Sequence, residues 1–98
     1  MLFAILFTDN PTNATVRNRD MPLHLAFLER NRDRIRAAGP LRDAESGTPA
    51  GGLWLVEAES RQAVEALYRE DPFWAAGLRS AVRVLEWTRV FAEGRRLI

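Results

Sequence analysis

Apolar runs and the breaks between them divide the chain into alternating strand and helix segments. Leu2 to Phe7 is apolar at both parities, the pattern of a strand covered on both faces. Asp9-Asn10-Pro11-Thr12-Asn13 follows, a loop built from turn formers. Apolar residues then return at helical spacing, with Leu25, Leu28 and Ile35 on one stripe and Leu23 four positions before Phe27. This spacing predicts a helix that begins between Arg17 and Pro22 and runs to Asp33. Asp20 is placed to cap it, with Met21 and Pro22 in the first turn. Glu29, Arg30, Arg32 and Asp33 form its solvated side.

Arg34 to Leu41 contains Ala37-Ala38-Gly39-Pro40, which argues against continued helix. It reads as a second strand at a sheet edge, because Pro40 has no N–H for a ladder. Arg42 to Gly52 reads as a flexible connection. Leu53 to Ala58 is the third strand. Ser60 is an N-cap for a helix from Arg61 to Arg69, whose apolar positions are Ala63, Val64, Leu67 and Tyr68. Asp71-Pro72 restarts the chain as a short helical turn through Ala75 and Ala76, ended by Gly77. Val82 to Phe91 is the last strand. It carries Val82, Val84 and Val90 on one face and Leu85, Trp87 and Phe91 on the other. Gly94 to Ile98 is a tail.

The order β-α-β-β-α-β predicts an α+β, ferredoxin-like fold in which a four-stranded antiparallel sheet carries both helices on one face. Strands one, three and four have large apolar side chains at both parities. A lone chain would leave an apolar sheet surface open, which soluble proteins rarely tolerate. The pattern therefore predicts a homodimer packed sheet against sheet.

Composition narrows the chemistry. The 98 residues suit a single domain spanning 1–98. A net charge of +1 gives no electrostatic case for nucleic acid or an anionic membrane. The apolar N-terminus is far shorter than the roughly 20 residues that a membrane span needs. It also lacks the basic flank of a signal peptide, so the expected compartment is the cytoplasm. The absence of cysteine excludes thiol nucleophiles and thiolate metal sites. All 14 basic residues are Arg, so Schiff-base chemistry is excluded as well. No metal-ligand spacing and no glycine-rich phosphate loop is present, so neither metal nor cofactor is expected. His24 is the only histidine, and imidazole is the only side chain whose ordinary pKa suits proton transfer near neutrality.

Several pieces occur together in an order that resembles the YciI-like (YCII-related) family of the dimeric α+β barrel superfamily. They are the apolar strand ending in Thr8-Asp9, His24-Leu25 early in the first helix, and Ala38-Gly39-Pro40-Leu41. Gly51-Gly52, Asp71-Pro72-Phe73 and Ala76-Gly77-Leu78 continue the series. The resemblance implies a ferredoxin-like dimer with a pocket holding a His/Asp pair, and His24 and Asp71 occupy those positions. It also implies lyase-like or isomerase-like work on small aromatic or lactone-type compounds. One departure stands out. Close members often carry Arg three residues before the histidine, where this chain has Met21, although Arg17 lies further upstream.

The candidate site follows. His24 is the candidate proton carrier, with Asp71 fixing its tautomer and supporting the imidazolium, and His24 also reads as a half-buried helix histidine hydrogen-bonded to backbone. Asp71 before Pro72 is equally a helix cap, and the cap occupies only one carboxylate oxygen. Phe73, Asp9 and Arg17 are the candidate substrate-binding residues. Phe73 follows Asp71 directly, Asp9 ends the first strand, and a guanidinium suits a carboxylate. Asp9 also reads as a turn former, Arg17 as solvated surface, and Trp54 and Trp87 as core or interface. The predicted activity is cofactor-independent proton transfer, leading to elimination or isomerisation of a small aromatic or cyclic molecule. The alternative is a non-catalytic dimeric module for ligand binding or assembly. The two differ in geometry, since catalysis requires His24 and Asp71 to meet beside a cavity.

Overall fold

The computed structural model describes residues 1–98. In chain order it contains β1 (Leu2–Asp9), a 3-10 turn (Pro11–Asn13) and α1 (Thr15–Arg30). Then come β2 (Ile35–Arg42), β3 (Pro49–Glu57), α2 (Arg61–Arg69), α3 (Pro72–Ala75) and β4 (Arg79–Glu86). A small terminal hairpin, β5 (Phe91–Ala92) and β6 (Arg95–Arg96), closes the chain. The four long strands pair antiparallel in the order β2-β3-β1-β4. This is the α+β, ferredoxin-like arrangement that the segment order predicts.

Strand alternation decides where the core lies. Phe3, Ile5 and Phe7 of β1 and Trp54 and Val56 of β3 point to one face. There they pack with Phe27 of α1 and with Val64, Leu67 and Tyr68 of α2. A smaller cluster of Val16, Phe73 and Leu78 joins α1 to α3 and the start of β4. The opposite parity of β1 has no helix over it. Ala4 lies beside Leu55 and Leu85, and Leu6 beside Leu53 and Arg83, on a sheet face that one chain leaves open. The strand read as covered on both faces is thus covered on one within a single chain.

Helix α1 departs from its expected bounds. It begins at Thr15, because the Asn10 side chain caps the preceding 3-10 turn by accepting from the Thr12 N–H and the chain runs straight on into helix. Ala14 supplies no side-chain cap, and Asp20 does not cap either, being held by Arg19 inside the helix. Pro22 sits mid-helix, where it removes a donor without ending the element. The buried stripe is Val16, His24 and Phe27, continued by Asn31 just past the C-terminus. Leu23 and Leu25, expected on the buried side, are exposed. The helix ends at Arg30, short of Asp33, where the Asn31 side-chain amide donates to the Phe27 carbonyl.

The stretch from Arg42 to Gly52 is more ordered than its composition suggests. Arg42 belongs to β2 and Pro49 to Gly52 belong to β3. The remaining loop is fastened by the Asp43 carboxylate, which accepts from the Glu45 and Ser46 N–H groups. Those donors hold the Asp43 carboxyl below the usual carboxylate range. At the far end, β4 starts at Arg79 and stops at Glu86, earlier at both ends than Val82 to Phe91. Val82 and Val84 pack against the core, whereas Val90 and Phe91 leave the sheet. Glu93 and Gly94, at φ 53° and 79°, turn that segment back on itself.

Candidate active site

His24 and Asp71 meet across the interface between α1 and α3. Helix α1 brings His24 inward on its buried stripe. Asp71 is extended, at φ −67° and ψ 132°, and its Oδ1 accepts the Phe73 N–H at 3.2 Å as the cap of α3. Pro72 at the first helical position needs no such acceptor. The same Oδ1 lies 2.8 Å from His24 Nδ1. Both side chains are buried, at 8% and 3% exposure. An ionised carboxylate only accepts hydrogen bonds, so Nδ1 carries the hydrogen and the lone pair of a neutral ring resides on Nε2. The cap and the histidine contact are therefore made by one atom, where the sequence suggested one oxygen for each.

Phe73 is fully buried behind the imidazole, with ring centroids 4.1 Å apart and planes 16° from parallel. It forms a rear platform for His24 and lines none of the adjoining space. In front of the ring is a cavity of about 90 Å³. Arg17, Met21, His24 and Leu28 reach it from successive turns of α1, and Trp54, Pro40 and Arg79 complete its walls. Met21, at the position where an arginine is common in the resembled family, contributes an apolar wall. No hydrogen-bond partner from the chain occupies His24 Nε2.

Asp9 and Arg17 lie at the mouth. They line a neighbouring cleft of about 730 Å³ between the end of β1, the 3-10 turn and the β2–β3 loop. Arg17 and Pro40 belong to both spaces, which makes them the boundary between cleft and cavity. The Asp9 carboxylate bridges two arginines: Oδ2 accepts from Arg17 and Oδ1 accepts from Arg79 Nη1 at 2.7 Å. No group of three or more His, Asp or Glu side chains converges in a way that could hold a metal ion.

Arg79 is the site residue that sequence reasoning missed. Its guanidinium lies 4.4 Å from the Phe7 ring centroid and 5.5 Å from that of Phe73. Its side chain is only 3% exposed. Burial pushes this guanidinium below its usual pKa, against the hydrogen bond and charge of Asp9, which hold it up. The available signal was cross-strand pairing. Asp9 and Arg79 are register partners at the ends of β1 and β4, an opposite-charge pair legible once β4 starts at Arg79.

The family model of the YCII-related domain matches residues 1–88. Protein YciI of Escherichia coli O6:H1 is 33% identical over 98 aligned residues, covering 93% of this chain and 100% of that protein. Protein YciI of Shigella flexneri matches to the same extent. Among solved structures, the 5-chloro-2-hydroxyhydroquinone dehydrochlorinase TftG of Burkholderia phenoliruptrix AC1100, in complex with 2,5-dihydroxybenzoquinone, superposes with a TM-score of 0.78. It is 37% identical, over 90% of this chain and 94% of that one.

Proposed function

Since the chain belongs to the YCII-related family, we propose that it is a cofactor-independent lyase or isomerase that moves a proton on a small oxygenated ring. The observation that supports this reading most is the buried His24–Asp71 hydrogen bond with the free edge of the imidazole facing a cavity. His24 Nε2 takes a proton from a ring hydroxyl or an acidic C–H. Asp71 keeps the other proton on Nδ1 and balances the imidazolium that forms. The electron pair left on the substrate moves into the ring. In elimination a leaving group departs with its own pair, and in isomerisation His24 returns the proton at another carbon. TftG, whose name describes removal of HCl from a chlorinated hydroxyhydroquinone, supports elimination as the first chemistry to test.

The dimensions set where the substrate lies. A cavity of about 90 Å³ is smaller than the roughly 150 Å³ that holds a benzene ring in an engineered protein core. The ring therefore extends into the cleft past Arg17 and Pro40, presenting one edge to His24. Arg17 and Asp9 contact its outer polar groups, and Phe73 keeps the imidazole facing it. Met21 and Trp54 keep the reacting edge dry.

Chlorinated hydroxyhydroquinones and unchlorinated analogues form the first substrate panel, with halide release and quinone absorbance as readouts. His24→Ala and Asp71→Asn are each expected to lower kcat by about 10²- to 10⁴-fold, the usual contribution of general acid–base catalysis. Turnover retained by both variants would overturn the assignment. Binding of these rings without any turnover would instead identify a ligand-binding module.

We also infer that the working unit is a homodimer formed through the open sheet face. Leu6, Leu53, Leu55 and Leu85 make that face apolar, and none of them belongs to the core clusters on the helix side.

A further inference from the structure

The His24 cavity has a second opening. Met21, Leu25 and Leu28 line it from α1, and their spacing puts them on one stripe of the helix. Opposite them runs β2, whose Ala38-Gly39-Pro40 segment completes the wall and is exposed along its whole length. Leu25 is itself 48% exposed although it lines the cavity. The inner part holds the buried His24 and Trp54, and the end toward the cleft holds Arg17. The space thus opens at two places, past Arg17 and Pro40 into the cleft and between Leu25 and Ala38 at the flank.

Sheet register explains the flank opening. Ala38 is the partner of Trp54, and directly opposed residues of an antiparallel pair share a face, so both side chains lie on the helix side. The single methyl of Ala38 leaves a gap to α1 that a longer side chain would fill. The chemistry also changes along the helix. Arg17 is charged, whereas Met21, Leu25 and Leu28 offer apolar side chains beyond it. From Arg17 to Leu28 the helix advances about 16 Å, more than one six-membered ring spans. A ring presented to His24 from the cleft therefore leaves apolar wall beyond its inner edge.

We propose that this flank holds an apolar tail, so that the substrate is a ring carrying a short alkyl chain on the edge that faces His24. This inference rests on the placement of the ring at His24. The tail lies between the α1 stripe and Ala38 and leaves the protein past Leu25. Each methylene buried there gains hydrophobic free energy, and the tail closes the side that Leu25 and Ala38 leave open, shielding the base from water. A polar substituent in the same place loses its water partners to Met21, Leu25 and Leu28, which return no hydrogen bond. Met21, Leu25 and Ala38 are then specificity-determining residues, and none of them takes part in the proton transfer.

Equilibrium binding tests this with 2,5-dihydroxybenzoquinone and with derivatives bearing an ethyl, propyl, pentyl or hydroxymethyl group on a free ring carbon. An alkyl group leaves the acidity of the ring hydroxyls nearly unchanged, so the series isolates the tail. Affinity is expected to rise about two- to fourfold per methylene up to propyl, with pentyl at least as tight as propyl because its end passes out between Leu25 and Ala38. The hydroxymethyl compound is expected to bind about tenfold more weakly than the ethyl compound of equal length. Ala38→Phe, which fills the passage, is expected to abolish the gain with chain length. Leu25→Asp, at an exposed helix position, is expected to reduce that gain, and it serves if Ala38→Phe does not fold. Affinity that stays flat across the series, falls from ethyl to pentyl, or rises in both variants as in the unmodified protein overturns the tail site while leaving the ring-binding reading standing. A hydroxymethyl compound that binds as tightly as the ethyl one does the same. Binding of none of these compounds overturns both.

Discussion

Asp71 carries two duties on one oxygen, and substitution can separate them. Asparagine caps helices about as well as aspartate. Asp71→Asn is therefore expected to change folding stability by less than about 1 kcal/mol, while removing the charge that the proposed proton transfer uses to support an imidazolium. Asp71→Ala loses the cap, worth about 1 kcal/mol, and leaves His24 Nδ1 buried without an acceptor, a further cost of about 1–3 kcal/mol. Chemical denaturation of both variants beside kcat gives the comparison. If Asn and Ala destabilise equally, the carboxylate has no separable role as a cap. The residues of this pair were readable in the sequence because histidine is unique and Asp-Pro is a local signal. Their contact at 2.8 Å was not, since 47 residues separate them and only the packing of α1 on α3 closes that distance.

At the scale of elements, Gly51 is a position where the backbone admits no substitute. Its φ is +93°, and a Cβ would stand 1.8 Å from the Phe7 carbonyl oxygen on the neighbouring strand. Left-handed strain alone costs about 1–3 kcal/mol, and the clash adds to it. Gly51→Ala is therefore expected to lower Tm by more than about 10 °C in a domain of this size. An unchanged melting curve would contradict the close approach of β3 to β1. The β2–β3 loop offers a pH test. The Asp43 carboxyl titrates below the usual carboxylate value because the folded loop donates two N–H groups to its anion. The sign follows from that. Its stabilising contribution is complete above the unfolded value of about 3.9 and fades as pH falls through the lower folded value. The amide protons of Glu45 and Ser46 are expected to titrate together with a midpoint below about 3.9, measured by NMR. A midpoint at or above that value would rule out the loop contacts. Sequence patterning placed α2 and α3 well, because each has a strong local cap. It misplaced the start of α1 and both ends of β4, because a 3-10 turn feeds one and a terminal hairpin truncates the other.

At the scale of the whole molecule, the open sheet face carries the remaining prediction. Leu55 lies beside Ala4 on β1 and Ala37 on β2, inside the apolar part of that face. A stable dimer buries about 800 Å² per partner, so a charge at its centre is poorly tolerated. Light scattering is expected to give twice the chain mass for the unmodified protein and the chain mass for Leu55→Arg. A monomer for both would remove the dimer from the proposal. His24 sits on the helix side of the sheet, so Leu55→Arg is expected to leave binding of ring compounds within about threefold, on the rule that distant sites act independently.

The sequence by itself determined the fold class, the edge position of β2 and the residues able to carry a proton. These follow from local quantities: alternation, spacing, caps and the chemistry of single side chains. Tertiary structure alone decided that His24 and Asp71 share an oxygen contact, that Phe73 lies behind the imidazole, and that Arg79 faces the same cavity. Each of these depends on side chains from distant segments arriving at one point. That arrival is set by sheet register and helix packing, which act across the chain and leave little trace in local pattern.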